Sequence, residues 1–302
     1  MPVAAQINLD ALFRDAVASI DAGDASALRQ RLDAHPELAC TRLEQAGAWL
    51  RDTVGKALDP GEFFERPYLL WFVAEDPARN NRLPPNIAEI TGVIVDVARR
   101  TCTPSQLKEM LDYAIRLVAW SWIAPKFGVQ IPLIDVLVDA GASPAVDTDA
   151  LVNRHRDAAA HLVKRGAPLS LATALCLSRW DDAERFVTNA TKRDKQVALV
   201  LAALNGNAEA LARLIRLGVD LNAYSTEIYT HATSLHHAVC SGSLDAVRTL
   251  VEAGADLTIR DTAWHATPLG WAQYYLTRHQ ADDRTPHYAA IAAYLRERGA
   301  LA

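Results

Sequence analysis

Two glycines twelve residues apart, met twice in the same setting, constrain this chain more than any other feature. Leu199 to Asp220 carries Gly206 and Gly218, and Ala232 to Asp256 carries Gly242 and Gly254, with Leu and Ala at matching offsets. Val247, Leu250 and Val251 stand at i, i+3 and i+4, one apolar face of a helix. Gly206 and Gly242 suit the positive φ of a tight turn between two short helices, and Gly218 and Gly254 suit a left-handed helix stop. The pattern reads as helix, turn, helix, stop. Such a unit cannot bury its own apolar face, so it must stack on copies of itself.

The repeat has a recognisable opening. Thr233-Ser-Leu-His-His-Ala238 and Thr267-Pro-Leu-Gly-Trp-Ala272 each precede a helix, with Thr233 or Thr267 placed to cap it and Pro268 suited to its first turn. These segments, with the Gly-Ala-Asp and Val-Asp-Leu-Asn turns that follow the stops, resemble the ankyrin repeat and its T-P-L-H-x-A signature. Ser234 replaces the signature proline in one copy, and Gly270 replaces the signature histidine in the other. The resemblance is specific over about residues 195 to 302. It implies an all-α ankyrin-repeat solenoid with finger loops between the repeats, in which the first helices and loop tips line a concave face that docks a protein.

Upstream the pattern is looser. Ala16 to Pro36 reads as a first repeat with Gly23 at its turn, Leu133 to Gly141 as an outer helix with its stop, and Ala158 to Gly166 likewise. The stops at 141, 166, 218, 254 and 299 are unevenly spaced, so an irregular helix pair is expected at Leu171 to Arg179 and Asp181 to Thr188, and an insertion in the last repeat. The expected organisation is one solenoid over 1–302 of roughly eight helix pairs. Residues 1–44 form the first repeat, 45–165 the divergent repeats with insertions, and 166–302 the regular repeats.

Composition excludes several partners. Among 302 residues, 31 basic and 36 acidic side chains leave a net charge of −5, which argues against nucleic acid. No run of 18 apolar residues could span a membrane, and the first ten residues lack a secretory signal, so a cytoplasmic protein is expected. Cys40, Cys102, Cys176 and Cys240 lie more than 60 residues apart without metal-site spacing, and are expected to be unpaired, small, buried residues.

Function on a solenoid gathers where the repeat breaks. Three departures stand out: Gln45 to Asn86, Val118 to Gly128, and the finger loops Asn222–His231 and Arg260–His265. Six of the nine histidines fall in the last 72 residues. In the ankyrin register, Leu201, His237 and Trp271, with Trp71 beside them, take the position expected to face the groove, and Tyr224, Tyr229, His231, Trp264 and His265 edge it. Trp71, Tyr224, Tyr229, His231, His237, Trp264, His265 and Trp271 are therefore the expected binding residues, since rigid aromatics and His give contact area at low entropic cost. The competing assignments are structural. His236, the signature histidine, is expected to bond to backbone; Trp71, Trp120 and Trp122 lie in apolar runs that suit a core; and Glu75–Arg82 suits a solvated loop.

No catalytic motif is present: no GxSxG, GxGxxG, Walker loop or HExxH. The residues that could carry acid–base chemistry are His237, His265, Asp261 and Tyr229. His231 lacks a carboxylate neighbour at metal-ligand spacing, so no metal and no cofactor is expected. The reading is a protein-interaction module. The alternative is a small-molecule or catalytic pocket built from Trp71, Trp122, Tyr229, His237, Trp264 and Trp271.

Overall fold

The computed structural model describes residues 9–44, 50, 66–278 and 285–301. The described residues are helical, without strands; two isolated bridges, Arg42 with Tyr68 and Tyr224 with Thr233, are the extended pairings. The chain divides into two compact units, Met1–Ala167 and Pro168–Ala302.

The first unit opens with α1 (Leu9–Ala22) and α2 (Ala25–Ala34), the latter capped by Asp24, whose carboxylate accepts Ala27 N–H at 2.8 Å. A 3₁₀ turn at Leu69–Ala74 precedes α3 (Ile87–Thr101). The pairs α4 (Pro104–Trp120) with α5 (Gln130–Ala140), and α6 (Asp147–Val152) with α7 (Arg156–Lys164), complete it. The ends are set locally: Thr103 and Gln106 close a capping box on α4, and Gly141, at φ 112°, stops α5.

Three features of this unit depart from expectation. Cys40 and Cys102 form a disulfide, with Cα atoms 5.4 Å apart at a sequence separation of 62. Sequence spacing does not limit which cysteines the fold brings together. Trp71 is completely buried, not set in a groove. Its Nε1–H donates to Met110 O at 3.2 Å, and its ring lies 4.3 Å from Tyr113 and 5.2 Å from Tyr68. Glu75, at the head of the expected solvated loop, is also buried, while Asn80, Asn81 and Arg82 are exposed. The buried Glu75 carboxylate accepts the backbone N–H groups of Arg79, Asn80 and Asn81, while Arg79 pairs with Asp21 at 2.7 Å and Glu75 at 3.2 Å. The Phe63–Phe64 part of that insertion lies outside the described residues.

The same loop makes stability depend on pH. Burial of the Asp76 carboxyl, with repulsion from Glu75, pushes its pKa up to about 6. The folded state therefore holds that proton more tightly than the unfolded chain, and stability falls as pH rises from about 4 through 6. Asp76→Asn removes the ionisation. It is expected to raise stability by about 1–2 kcal/mol at pH 7, with the gain fading near pH 4. Urea titrations at both pH values measure this; an equal or absent gain at pH 7 would show that the carboxyl ionises freely.

The second unit is more regular. It runs α8 (Leu171–Cys176) with α9 (Trp180–Val187), α10 (Lys192–Leu204) with α11 (Ala208–Ile215), α12 (Ser234–Ser241) with α13 (Leu244–Glu252), and α14 (Pro268–Arg278) with α15 (Thr285–Glu297). The irregular pair expected near 171–188 is α8 and α9. Gly206 turns α10 into α11 at φ 62°, and a Cβ there would lie 2.7 Å from Ser243 Cβ, so the turn fits against its neighbour only as glycine. Ser243 Oγ donates to Gly206 O at 3.1 Å, tying one turn to the next. Leu201, expected to face the groove, is completely buried in this core.

Candidate functional site

The finger loops of the second unit are built from the backbone outward. Tyr224 pairs with Thr233 across the first finger, and Ser225 N–H donates to Ala232 O at 3.1 Å. Tyr229 at its tip takes a left-handed φ of 47°. The second finger closes with Asp261 N–H to Ala266 O at 2.9 Å, and His265 is left-handed at φ 55°. Two bonds join the fingers: Thr262 N–H to His231 O at 2.8 Å, and Tyr224 O–H to Arg260 O at 2.8 Å.

Asp261 organises the second finger. Its carboxylate is buried and accepts four donors: Ala263 N–H at 2.9 Å, Trp264 N–H at 2.6 Å, Ala266 N–H at 3.0 Å and Trp271 Nε1–H at 2.9 Å. Burial alone would raise its pKa, but the N–H groups of Trp264, Trp271, Ala266 and Ala263 hold it below the usual carboxylate range. An anion whose oxygens are filled by four N–H groups is a structural anchor and makes a poor general base.

Above this anchor six rings meet. Trp271 lies 5.8 Å from Trp264, 5.9 Å from His231, 5.1 Å from His236 and 6.3 Å from His237. His231 sits edge-on to Trp264 at 5.0 Å, and Tyr229 closes the set at 6.2 Å from His231 and 6.0 Å from His237. Such edge-on contacts are favourable arrangements of aromatic quadrupoles.

The adjacent histidines differ in a way that matters. His236 is satisfied at both nitrogens: Nε2–H donates to Ala266 O at 3.1 Å, so Nδ1 accepts from Thr233 Oγ1 at 2.8 Å. This is the backbone-bonding role expected of it. His237 is held neutral, its pKa driven down to about 3 by burial and then by His236 and His231, against a bond to the Tyr229 carbonyl. Its Nε2 has no partner, which makes Nδ1 the donor to Tyr229 and leaves Nε2 a bare buried acceptor. His231 Nε2 is likewise buried without a partner. Orphaned buried nitrogens are rare and costly, and two in one ring set mark a place able to take a donor.

The expected site residues therefore separate. Tyr229, His231, His237, Trp264 and Trp271 come together. Trp264 is 68% exposed, and Tyr224, Tyr229 and His265 are also exposed. His237 and Trp271, expected on the open face, are buried beneath the fingers, because the second finger folds over the start of α12 and α14. Trp71 belongs to the core of the first unit, and Trp122 lies in the same unit, 47% exposed. Of the expected acid–base grouping of Asp261, His265 and Tyr229, the Asp261 oxygens each already accept two N–H groups. Sequence reasoning missed Arg260, whose guanidinium donates to His265 O at 2.8 Å and braces the second finger; its place directly before Asp261 was the available signal. Among the described residues no group of three or more metal-ligating side chains is found. No helix there is long and apolar enough to cross a membrane.

Comparison with known proteins adds the family. The model for ankyrin repeats (3 copies) matches residues 159–261, which include the first finger and both neighbouring histidines. Two solved structures are similar in outline only. The human ASB11 ankyrin repeat domain is 15% identical with a TM-score of 0.32, covering 68% of this chain and 96% of that one. The ankyrin repeat domain of Bcl-3, described as a unique member of the IkappaB protein family, is 19% identical with a TM-score of 0.30, covering 67% and 92%. No curated protein matches the chain in sequence. With the signature threonine and histidine at Thr233 and His236, and the family match across 159–261, that stretch of the chain carries ankyrin repeats.

Proposed function

We propose that the chain docks a protein partner on the finger surface formed by Tyr229, His231, Trp264 and His265, with Tyr224 at its edge. Ankyrin repeats are in general protein-interaction modules, and this surface has the chemistry of a binding hot spot. An exposed indole rests on a rigid ring set and is surrounded by loops tied to one another through backbone bonds. The observation that carries the reading is the bare Nε2 of His237, whose ring lies 6.0 Å from the exposed ring of Tyr229. A partner side chain that bears an N–H or O–H would satisfy it on docking.

The test uses two variants of the full chain. Trp264→Ala removes the exposed ring and is expected to weaken the partner at least about 30-fold while changing stability by under about 1 kcal/mol. His237→Leu removes an unsatisfied buried polar atom. It also removes the Nδ1–H bond to the Tyr229 carbonyl, and is expected to weaken the partner about tenfold while changing stability by under about 1 kcal/mol in either direction. Quantitative co-purification from the source cells, with thermal melts on the same samples, reads both. A partner retained by both variants would remove the fingers from the interface. A large loss of stability in His237→Leu would mean that His237 is satisfied in solution.

A further inference from the structure

A second surface of exposed rings lies at the turn between α4 and α5 in the first unit. Trp122 and Phe127 are each 47% exposed, five residues apart, with the exposed Lys126 between them. Phe127 stacks on no other ring among the described residues. Trp122 is held from one side, with the Arg154 guanidinium 5.6 Å from its centroid and the His155 ring 5.7 Å away, edge-on. Lys126 makes no ion pair among the described residues. The nearby acid, Asp149, is engaged by Trp120 Nε1–H at 2.8 Å and by Arg116 at 3.9 Å. The patch is thus two large rings and two cations, on a chain whose net charge is −5.

Its backbone is closed in on itself. Ser121 Oγ accepts Ile123 N–H at 3.2 Å and Ala124 N–H at 3.0 Å. Phe127 N–H bonds to Ile123 O at 3.4 Å, Gly128 N–H to Pro125 O at 3.1 Å, and Val129 N–H to Ala124 O at 3.1 Å, while Pro125 has no N–H. Ile123, Ala124 and Val129 form a buried floor under the exposed rings. A turn that satisfies most of its own amides can leave water while stranding few of them. It also offers few backbone donors with which to pair a peptide strand.

From this geometry we propose that the 121–129 turn is a peripheral contact for an anionic bilayer surface. Phe127 and the Trp122 indole enter the headgroup boundary, and Lys126 and Arg154 face the lipid phosphates and carboxylates. An amphipathic indole beside an apolar ring is the side-chain pair suited to that boundary, and cations beside it add attraction to acidic lipid. The contact is independent of the finger surface and does not require any helix to cross the membrane.

Sedimentation of the full chain with vesicles tests it. Vesicles of phosphatidylcholine containing about one-third phosphatidylserine are expected to carry the protein down at low salt, pure phosphatidylcholine vesicles are not, and added salt should weaken the binding. Trp122→Ala with Phe127→Ala should lower partitioning at least about tenfold. Lys126→Glu should lower it about fivefold or more, with circular dichroism unchanged in both variants. Absence of binding to the anionic vesicles at low salt overturns the proposal, as does binding that survives the double variant. Self-association in ultracentrifugation that the double variant abolishes would give the patch to a second copy of the chain and overturn it equally.

Discussion

Asp261→Asn is expected to cost about 3–5 kcal/mol of stability at pH 7, although the two side chains have nearly the same shape. The carboxylate accepts four N–H groups, two at each oxygen. An amide keeps one accepting oxygen and turns two donors toward the other pair, so either Ala263 and Trp264 or Ala266 and Trp271 face a donor with a donor. Hydrogen bonds to a charged group are the strong kind, and their loss inside a buried loop leaves desolvated N–H groups behind. The second finger should loosen, and Trp264 with it. The pH dependence carries its own check. Asp261 is held below its ordinary pKa in the folded state, so its contribution is present above the unfolded pKa near 4 and is lost as pH falls through the folded value. The penalty of the variant should therefore be constant from pH 7 to about pH 5 and shrink below about pH 4. Urea unfolding at several pH values measures it. A penalty under about 1 kcal/mol would mean that the four bonds are not made in solution.

Trp71→Ala is expected to cost about 3–5 kcal/mol in the first unit and to leave partner binding at the fingers unchanged. The ring is completely buried, touches Tyr68 and Tyr113, and lies 5.0 Å from the Arg42 guanidinium. Its removal opens a cavity and also leaves Met110 O without its indole donor. Denaturation with a probe confined to the first unit, beside a binding measurement on the same protein, separates the two roles open to this residue. A mild stability loss with weakened binding would return Trp71 to a binding face.

The difference between these two residues shows where sequence stops being informative. Helix ends are local events, and several were legible: the cap at Thr233 and the turn at Gly206 are each specified within a few residues by hydrogen-bonding capacity or by positive φ. The all-α repeat architecture followed, because a 3.6-residue period and a recurring stop leave no other element that could bury those faces. The family resemblance also located the fingers and gave the role of His236. It placed His237 and Trp271 on an open face, however, and there the register was insufficient. Their burial depends on how far the next finger folds back, which the four bonds to Asp261 decide.

Other outcomes turned on the same distinction. Cys40 and Cys102 are 62 residues apart in the chain and 5.4 Å apart at Cα, and nothing in their local sequence reports that distance. Glu75 reads as a surface acid until three backbone N–H groups converge on it from Arg79, Asn80 and Asn81. Trp122 reads as core because it continues the apolar run of α4, yet the helix ends at Trp120 and the Ser121 bonds turn the next indole outward. By itself the sequence determined what each short segment does with its own backbone, since those energies involve residues within one turn of each other. Only the tertiary structure decided which side chains meet, because burial, ion pairing and the filling of a carboxylate's lone pairs depend on atoms that the chain brings together from far apart.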